Sequence, residues 1–215
     1  MSSHPTTAEI LAVFSNTSQL ISSFAVIAGV VIAYQQLTSW RDQRQATRRS
    51  EVAEEAILFA NRVSDELKRI RNPLDSIPIE EKDNKLFGVE RRYRWLVEAN
   101  ELFAEARVVQ IKLKAVLGDD QLDRDYDELL KIRNSVAASI QVYADLVREP
   151  PDQHDPALRQ LQLESRRVIW GHYGDNDELG SKQLAALKNI EDALLGYVRM
   201  QQKVVRRPTP PRYHT

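Results

Sequence analysis

An apolar stretch that gives way abruptly to a basic one constrains this chain more than any other feature. Residues 20–37 contain no charged residue, and residues 1–40 contain neither Lys nor Arg. As a helix, residues 20–37 would be about 27 Å long, close to the hydrocarbon thickness of about 30 Å in a bilayer. Because Lys and Arg mark the cytoplasmic side of a span, the sequence predicts a single-pass transmembrane helix with its N-terminus outside. The basic side is formed by Arg41, Arg44, Arg48 and Arg49.

The residues on either side of this run extend the same hypothesis. Residues 1–19 are expected to form an outer or interfacial segment, and residues 38–205 a cytoplasmic domain at the inner (plasma) membrane. Tyr34 and Trp40 fall at the inner boundary, where amphipathic rings prefer the headgroup level. The four arginines predict contact with membrane lipid and not with nucleic acid, because acids follow them at once and no aromatic residue separates them. The alternative is that residues 20–37 form the buried first helix of a soluble bundle.

Small residues repeat at four-residue spacing within the apolar run, at Ala25, Gly29 and Ala33. Small side chains on one face allow two helices to approach closely in a membrane. The sequence therefore offers a candidate helix–helix face. The simpler alternative is that Ala and Gly are common in any membrane span.

The remainder of the chain has the periodicity of amphipathic helices. Apolar residues recur at three- and four-residue steps, and short loops between long helices predict an antiparallel bundle. The first helix is expected to continue from the apolar run without interruption and to end before Pro73. The predicted fold class is all-α, with an N-terminal transmembrane helix continuing into an antiparallel four- to five-helix cytoplasmic bundle. Later helices are expected at residues 89–117, 120–148, 157–170 and 181–205, followed by a disordered tail at residues 206–215.

The order of these segments resembles that of a known group of proteins. After the apolar run come "YQQLTSWRDQRQATRRSEVAEEAILFANRVSDELKRIRNPL" and "YRWLVEANELFAEARVVQIKLKAVLGDD", and "VIWG" precedes the last helix. The arrangement is similar to an uncharacterised family of small bacterial membrane proteins with one N-terminal span and a helical interior-facing domain. The resemblance covers most of the chain and implies this architecture and a bacterial inner membrane. It implies no activity and assigns no functional residue.

Few side chains in the chain are suited to catalysis or metal binding. There is no cysteine, and none of the four histidines completes a Glu-x-x-His pair, which excludes thiolate sites and argues against a di-iron bundle. The most polar cluster is His172, Asp175, Asp177 and Glu178, which resembles an oxygen-rich metal loop but lacks EF-hand spacing. The simpler interpretation is a helix break capped by Asp175 or Asn176. The sequence therefore predicts no catalytic residue, no metal and no cofactor.

Arginines concentrate on both sides of the first loop and again before "VIWG". They allow two interpretations, an anion pocket or a set of helix caps and ion pairs, and the usual behaviour of arginine favours the second. The residues concerned are Arg71, Arg91, Arg92, Arg94, Arg166 and Arg167.

These features favour a non-enzymatic, membrane-anchored interaction protein. Its helical domain would recruit a protein partner or form a homo-oligomer, acting through effective concentration at the membrane. The alternative is an oligomerising membrane effector, toxin-like or part of phage defence, that perturbs the bilayer through the face at Ala25, Gly29 and Ala33. A metal-dependent hydrolase using the loop from His172 to Glu178 ranks third.

Overall fold

Helices account for most of the chain in a computed structural model. The structure describes the backbone of residues 7–148, 155–171 and 177–205, and the side chains of residues 25–148, 155–171 and 177–199. Within these ranges there are six α-helices, one short 3₁₀ helix and no strand, so the predicted all-α bundle is confirmed. The helices are α1 (Thr7–Ile70), α2 (Phe87–Glu98), α3 (Asn100–Leu117), α4 (Asp120–Arg148), α5 (Pro156–Ile169) and α6 (Glu178–Val205), with the 3₁₀ helix at Ile79–Glu81.

The chain forms two compact units, Met1–Thr47 and Arg48–Thr215. In the first unit, every residue from Ala25 to Leu37 is exposed. No helix in the described part of the chain is long and apolar enough to cross a membrane. The predicted transmembrane helix at residues 20–37 is therefore not supported, and the side chains of residues 20–24 lie outside those described.

The second unit is organised by one face of α1 and by α4. The predicted continuation of the first helix past the apolar run is confirmed, because α1 extends without interruption to Ile70, before Pro73. Helix α4 packs against α2, α3, α5 and α6. The hydroxyl of Tyr126 on α4 donates a hydrogen bond to the carbonyl of Ala56 on α1, and burial raises the pKa of that phenol. The face of α1 in this core comprises Val52, Ala53, Ala56, Ala60, Val63, Leu67 and Ile70.

The predicted second helix is interrupted near its middle. Instead of one helix at residues 89–117, α2 ends at Glu98 and α3 begins at Asn100, with Ala99 between them. The N–H of Ala99 donates to the carbonyls of both Trp95 and Val97, so the turn tightens there. Ala99 is buried and both helices pack against α4. The interruption therefore lies within the packed core, and no Gly or Pro marks it in the sequence.

The remaining boundaries follow local capping signals. Helix α3 ends at the predicted C′ residue Gly118, which has a φ of 67°. Helix α4 occupies the predicted residues, and Asp119 Oδ1 accepts from the N–H groups of Gln121 and Leu122 at its start. Asp155 caps α5 in the same way. The loop at residues 149–154, the segment 172–176 and the predicted tail 206–215 lie outside the described residues.

Candidate functional site

The candidate helix–helix face lies on the exposed part of α1 in the first unit. Ala25, Gly29 and Ala33 are all exposed at four-residue spacing. A Cβ built on Gly29 has no atom within 4 Å among the described residues, so none of those residues fills this face. The predicted face is therefore open to a neighbouring helix or to lipid.

The predicted lipid-contact residues are exposed in both units of the chain. In the first unit, Tyr34, Trp40, Arg41 and Arg44 are exposed, and the Arg44 guanidinium lies 4.2 Å from the centre of the Trp40 ring. This cation–π contact pairs a basic head with an amphipathic ring one turn away.

The other two arginines of the basic stretch belong to the second unit. Arg48 and Arg49 are exposed, and Arg48 lies 3.9 Å from the carboxylate of Glu51. An exposed ion pair of this length contributes little stability. Both guanidinium groups therefore stay accessible to an anionic surface.

The predicted polar site between His172 and Glu178 is divided by the structure. Asp177 Oδ1 accepts from Arg71 Nη2 at 2.7 Å and from the N–H of Gly180 at 3.0 Å, so Asp177 caps α6. The cap is thus Asp177 and not Asp175 or Asn176, and α6 begins at Glu178, earlier than the predicted residue 181.

Of the other three residues of the predicted polar site, the structure describes only Glu178. Glu178 is exposed and accepts a hydrogen bond from Lys182 at 2.7 Å, which lowers the pKa of its carboxyl group. His172 and Asp175 lie outside the described residues. Within the residues that are described, no three His, Asp or Glu side chains lie together as metal ligands would. The metal hypothesis for this loop stays a prediction.

Arg71, the ion-pair partner of Asp177, lies beside this loop and close to two glycines. Its side chain is almost fully buried and its Nε donates to the carbonyl of Val168 at 3.0 Å, while its own carbonyl accepts from the N–H of Gly171 at 2.8 Å. A Cβ on Gly171 would lie 2.9 Å from Asp177 Oδ2, and one on Gly180 only 2.5 Å from it. The end of α1, the end of α5 and the start of α6 therefore meet around one ion pair.

A second buried arginine, Arg92, anchors the first loop. Its side chain is 1% exposed; Nη1 donates to Asp75 Oδ2 and to the Gly88 carbonyl, each at 2.9 Å, and Nη2 donates to the Asn72 carbonyl at 2.6 Å. Its guanidinium lies 5.0 Å from the centre of the Trp170 ring. Burial lowers the pKa of Arg92, and the charge of Asp75 opposes that shift.

An open cleft of about 590 Å³ lies beside Arg92. It is bounded by the loop after α1, the start of α2, α4 and the end of α5. The cations in its lining are Lys85, Arg92, Arg166 and Arg167, and its only acid is Asp75.

Aromatic and aliphatic side chains form the rest of the cleft wall. The rings of Trp170 and Tyr143 meet edge to face with their centres 5.4 Å apart. Leu163 also lines the cleft and is 52% exposed. The cleft therefore combines a cationic side with an apolar side.

The six predicted arginines separate into three groups. Arg71, Arg91 and Arg92 form ion pairs, as the favoured interpretation expected: Arg91 and Arg92 share Asp75. Arg94 lines a different cleft, between α2 and α4.

Arg166 and Arg167 form no ion pair with another described residue and line the cleft beside Arg92, so for these two residues the anion-pocket alternative stays a prediction. Sequence reasoning missed the contribution of Lys85, Tyr143 and Leu163. Their assembly depends on the packing of α4 and α5, which no local pattern reveals.

Comparison of this chain with protein-family models, with curated proteins and with solved structures gave no match. The function of the chain is therefore inferred from its own residues and contacts.

Proposed function

We propose that this protein is a membrane-anchored helical interaction protein, whose bundle recruits a protein partner or a second copy at the inner membrane. The observation that carries the proposal is the exposure of every residue from Ala25 to Leu37 on α1. A helix segment that is apolar on all sides is stable when lipid or another protein surrounds it. In water, exposed apolar side chains such as Val26, Ile27 and Val30 would favour aggregation.

The residues that follow favour lipid as the surrounding medium. Arg41 and Arg44 are exposed just after the apolar section, and residues 1–40 contain no Lys or Arg. Each basic side chain near an anionic leaflet contributes about 1 kcal/mol of attraction. The asymmetry of charge supports an N-terminus outside and a bundle inside. The resemblance to single-span bacterial proteins is consistent with this arrangement.

Membrane fractionation with matched double variants tests the proposal. Val30→Asp/Val31→Asp places two charges in the exposed apolar section, and Val108→Asp/Ile111→Asp places two on an exposed part of α3. We expect the unmodified protein and the α3 variant to sediment with membranes and to resist a high-salt wash. The Val30/Val31 variant should shift to the supernatant. An unmodified protein found entirely in the supernatant would contradict the proposal.

A second candidate, an oligomerising membrane effector, is favoured by the open face at Gly29. Close helix approach through Ala25, Gly29 and Ala33 would be blocked by a large side chain at the central position. Under this candidate, overexpression slows growth and admits dye, and Gly29→Ile abolishes both effects. Val30→Ile, one residue off the face, is the control and should retain them. Normal growth and dye exclusion with the unmodified protein would remove this candidate.

The third candidate, a metal-dependent hydrolase, has weaker support. Asp177, one of its four expected polar residues, is committed to capping α6 and to pairing with Arg71. Metal analysis of the purified protein tests it, and a metal-free sample whose melting temperature ignores added divalent cations would contradict it.

A further inference from the structure

The cleft beside Arg92 has an excess of positive charge that no described residue neutralises. Lys85, Arg166 and Arg167 line it and are exposed, and none of them forms a side-chain ion pair with another described residue. The only acid in the lining, Asp75, is already paired with Arg91 and Arg92. Like charges that converge without a counterion repel one another. A ligand with more than one negative charge would relieve that repulsion.

The buried arginine makes the cationic side of the cleft rigid. Arg92 is held by Asp75 and by the carbonyls of Asn72 and Gly88, and its Nε is buried without a partner among the described residues. Because these contacts orient the guanidinium before any ligand arrives, little side-chain entropy is lost there on binding. Arg92 is therefore a fixed positive charge in the wall, and the exposed cations are free to reach a ligand.

The size and the opposite wall of the cleft specify what accompanies the anion. A volume of about 590 Å³ is far more than a phosphate needs, and it lies within the range of about 300–1,000 Å³ that is typical of small-molecule sites. The edge-to-face pair of Trp170 and Tyr143 and the exposed Leu163 offer apolar surface next to the cations. A planar ring or another apolar group attached to the phosphate would contact this surface.

We propose that this cleft binds a small organic phosphate of nucleotide size. Lys85, Arg166 and Arg167 bind the phosphate oxygens, and the wall formed by Trp170, Tyr143 and Leu163 contacts the apolar or aromatic part of the ligand. Planar guanidinium groups match phosphate oxygens in geometry as well as charge. The proposal does not depend on membrane anchoring, since all of these residues belong to the second unit.

Titration calorimetry on the full-length protein in detergent tests this site, with ADP and inorganic pyrophosphate as the probes. Both should bind, and ADP should bind more tightly because its base contacts the apolar wall. The double variant Arg166→Gln/Arg167→Gln removes two cations from the cleft. The matched control Arg159→Gln/Lys188→Gln removes two exposed cations that do not line it.

The two variants should differ in binding and not in stability. Arg166→Gln/Arg167→Gln should weaken ADP binding by at least about tenfold, because it removes two cations that can form charge-assisted hydrogen bonds to the phosphates. The control should bind as the unmodified protein does, and both variants should melt within a few degrees of it. Leu163→Ala should weaken ADP severalfold and leave pyrophosphate unchanged.

Three results would overturn the proposal. The first is that neither ADP nor pyrophosphate produces heat of binding at millimolar concentration. The second is equal loss of binding in the control variant, which would indicate a general charge effect. The third is that the protein binds vesicles containing phosphatidylglycerol, that this binding requires Arg166 and Arg167, and that neither soluble probe binds. That last result would assign the cleft to lipid headgroups.

Discussion

Helix α1 uses its apolar residues in opposite ways in the two units of the chain. From Val52 to Ile70, its core residues are at most 1% exposed, whereas the large apolar residues from Val26 to Leu37 are at least 49% exposed. Both sections are regular helix. The comparison shows that apolar content alone does not determine which part of a helix enters the core of the chain.

Periodicity explains the difference between the two sections. Between Val52 and Ile70, charged residues such as Glu54, Arg62 and Asp65 separate the apolar positions, so the apolar residues form one stripe that packs against the bundle. Between Ala25 and Leu37, apolar residues occur on every side of the helix. One bundle face cannot cover such a segment, whereas a surrounding medium such as lipid can.

The largest expected difference in the free energy of unfolding is between two leucine truncations, one in each section of α1. Leu67→Ala, at a fully buried position, should lower the free energy of unfolding by about 2–5 kcal/mol through lost burial and a cavity. Leu37→Ala, on the same helix but 53% exposed, should change it by less than about 0.5 kcal/mol. Urea unfolding in detergent measures both. Equal losses would mean that the Leu37 section also packs in a core.

The next largest effect is expected from breaking the ion pair at the end of the buried section of α1. It tests whether the stability of that section depends on the pair. Asp177→Asn leaves the buried charge of Arg71 without its carboxylate and should cost about 1.5–3 kcal/mol. Glu178→Gln, which removes an exposed carboxylate next to it, is the control and should cost less than about 0.5 kcal/mol. Melting temperatures report both, and indistinguishable values would remove the structural role assigned to Asp177.

Two glycines of α6 should respond to alanine with opposite signs. A Cβ on Gly180 would lie 2.5 Å from Asp177 Oδ2, so Gly180→Ala should destabilise the bundle by about 1 kcal/mol or more. Gly196 has no described atom within 4 Å of its Cβ position, so Gly196→Ala should stabilise the helix by about 0.5–1 kcal/mol. Calorimetric melting of both variants checks the sign. Stabilisation by Gly180→Ala would show that the packing around Asp177 is looser than described.

The smallest effect is a pH dependence confined to the bundle. Hydrogen bonds from Lys114 and Gln110 lower the pKa of Asp123, and those from Gln110 and Arg107 lower the pKa of Asp127. The pKa values of both carboxyl groups in the folded protein therefore lie below the unfolded value of 3.8. The two ionised carboxylates stabilise the fold fully above that pH, and this stabilisation is lost as pH falls through the folded-state pKa values.

Asp123→Asn should therefore flatten the loss of stability that occurs as pH falls below 3.8. The exposed Asp83→Asn is the control and should leave the slope unchanged. Urea midpoints across this pH range provide the measurement, and identical slopes in all three proteins would contradict the assignment.

Sequence periodicity was sufficient to predict the bundle and most helix ends, because those depend on local signals. The stripe from Val52 to Ile70, the stop at Gly118 and the acidic start of α4 are all readable in the sequence. The break at Ala99 and the cleft lined by Arg166 and Arg167 were not readable in that way. Both arise where distant helices meet, and a single sequence carries no record of such contacts.

The predicted helix face at Ala25, Gly29 and Ala33 and the basic stretch at Arg41 and Arg44 stay predictions. The structure places these residues on the exposed surface of the first unit.

Cysteine labelling in native membranes tests most directly whether lipid surrounds the exposed section of α1. The chain contains no cysteine, so Val30→Cys and Leu58→Cys each carry a single thiol, at positions 65% and 57% exposed in the unmodified chain. A charged maleimide applied to opened membrane vesicles should label the thiol at position 58 at once and the thiol at position 30 only after detergent is added. Equal labelling of both thiols before detergent would contradict membrane anchoring.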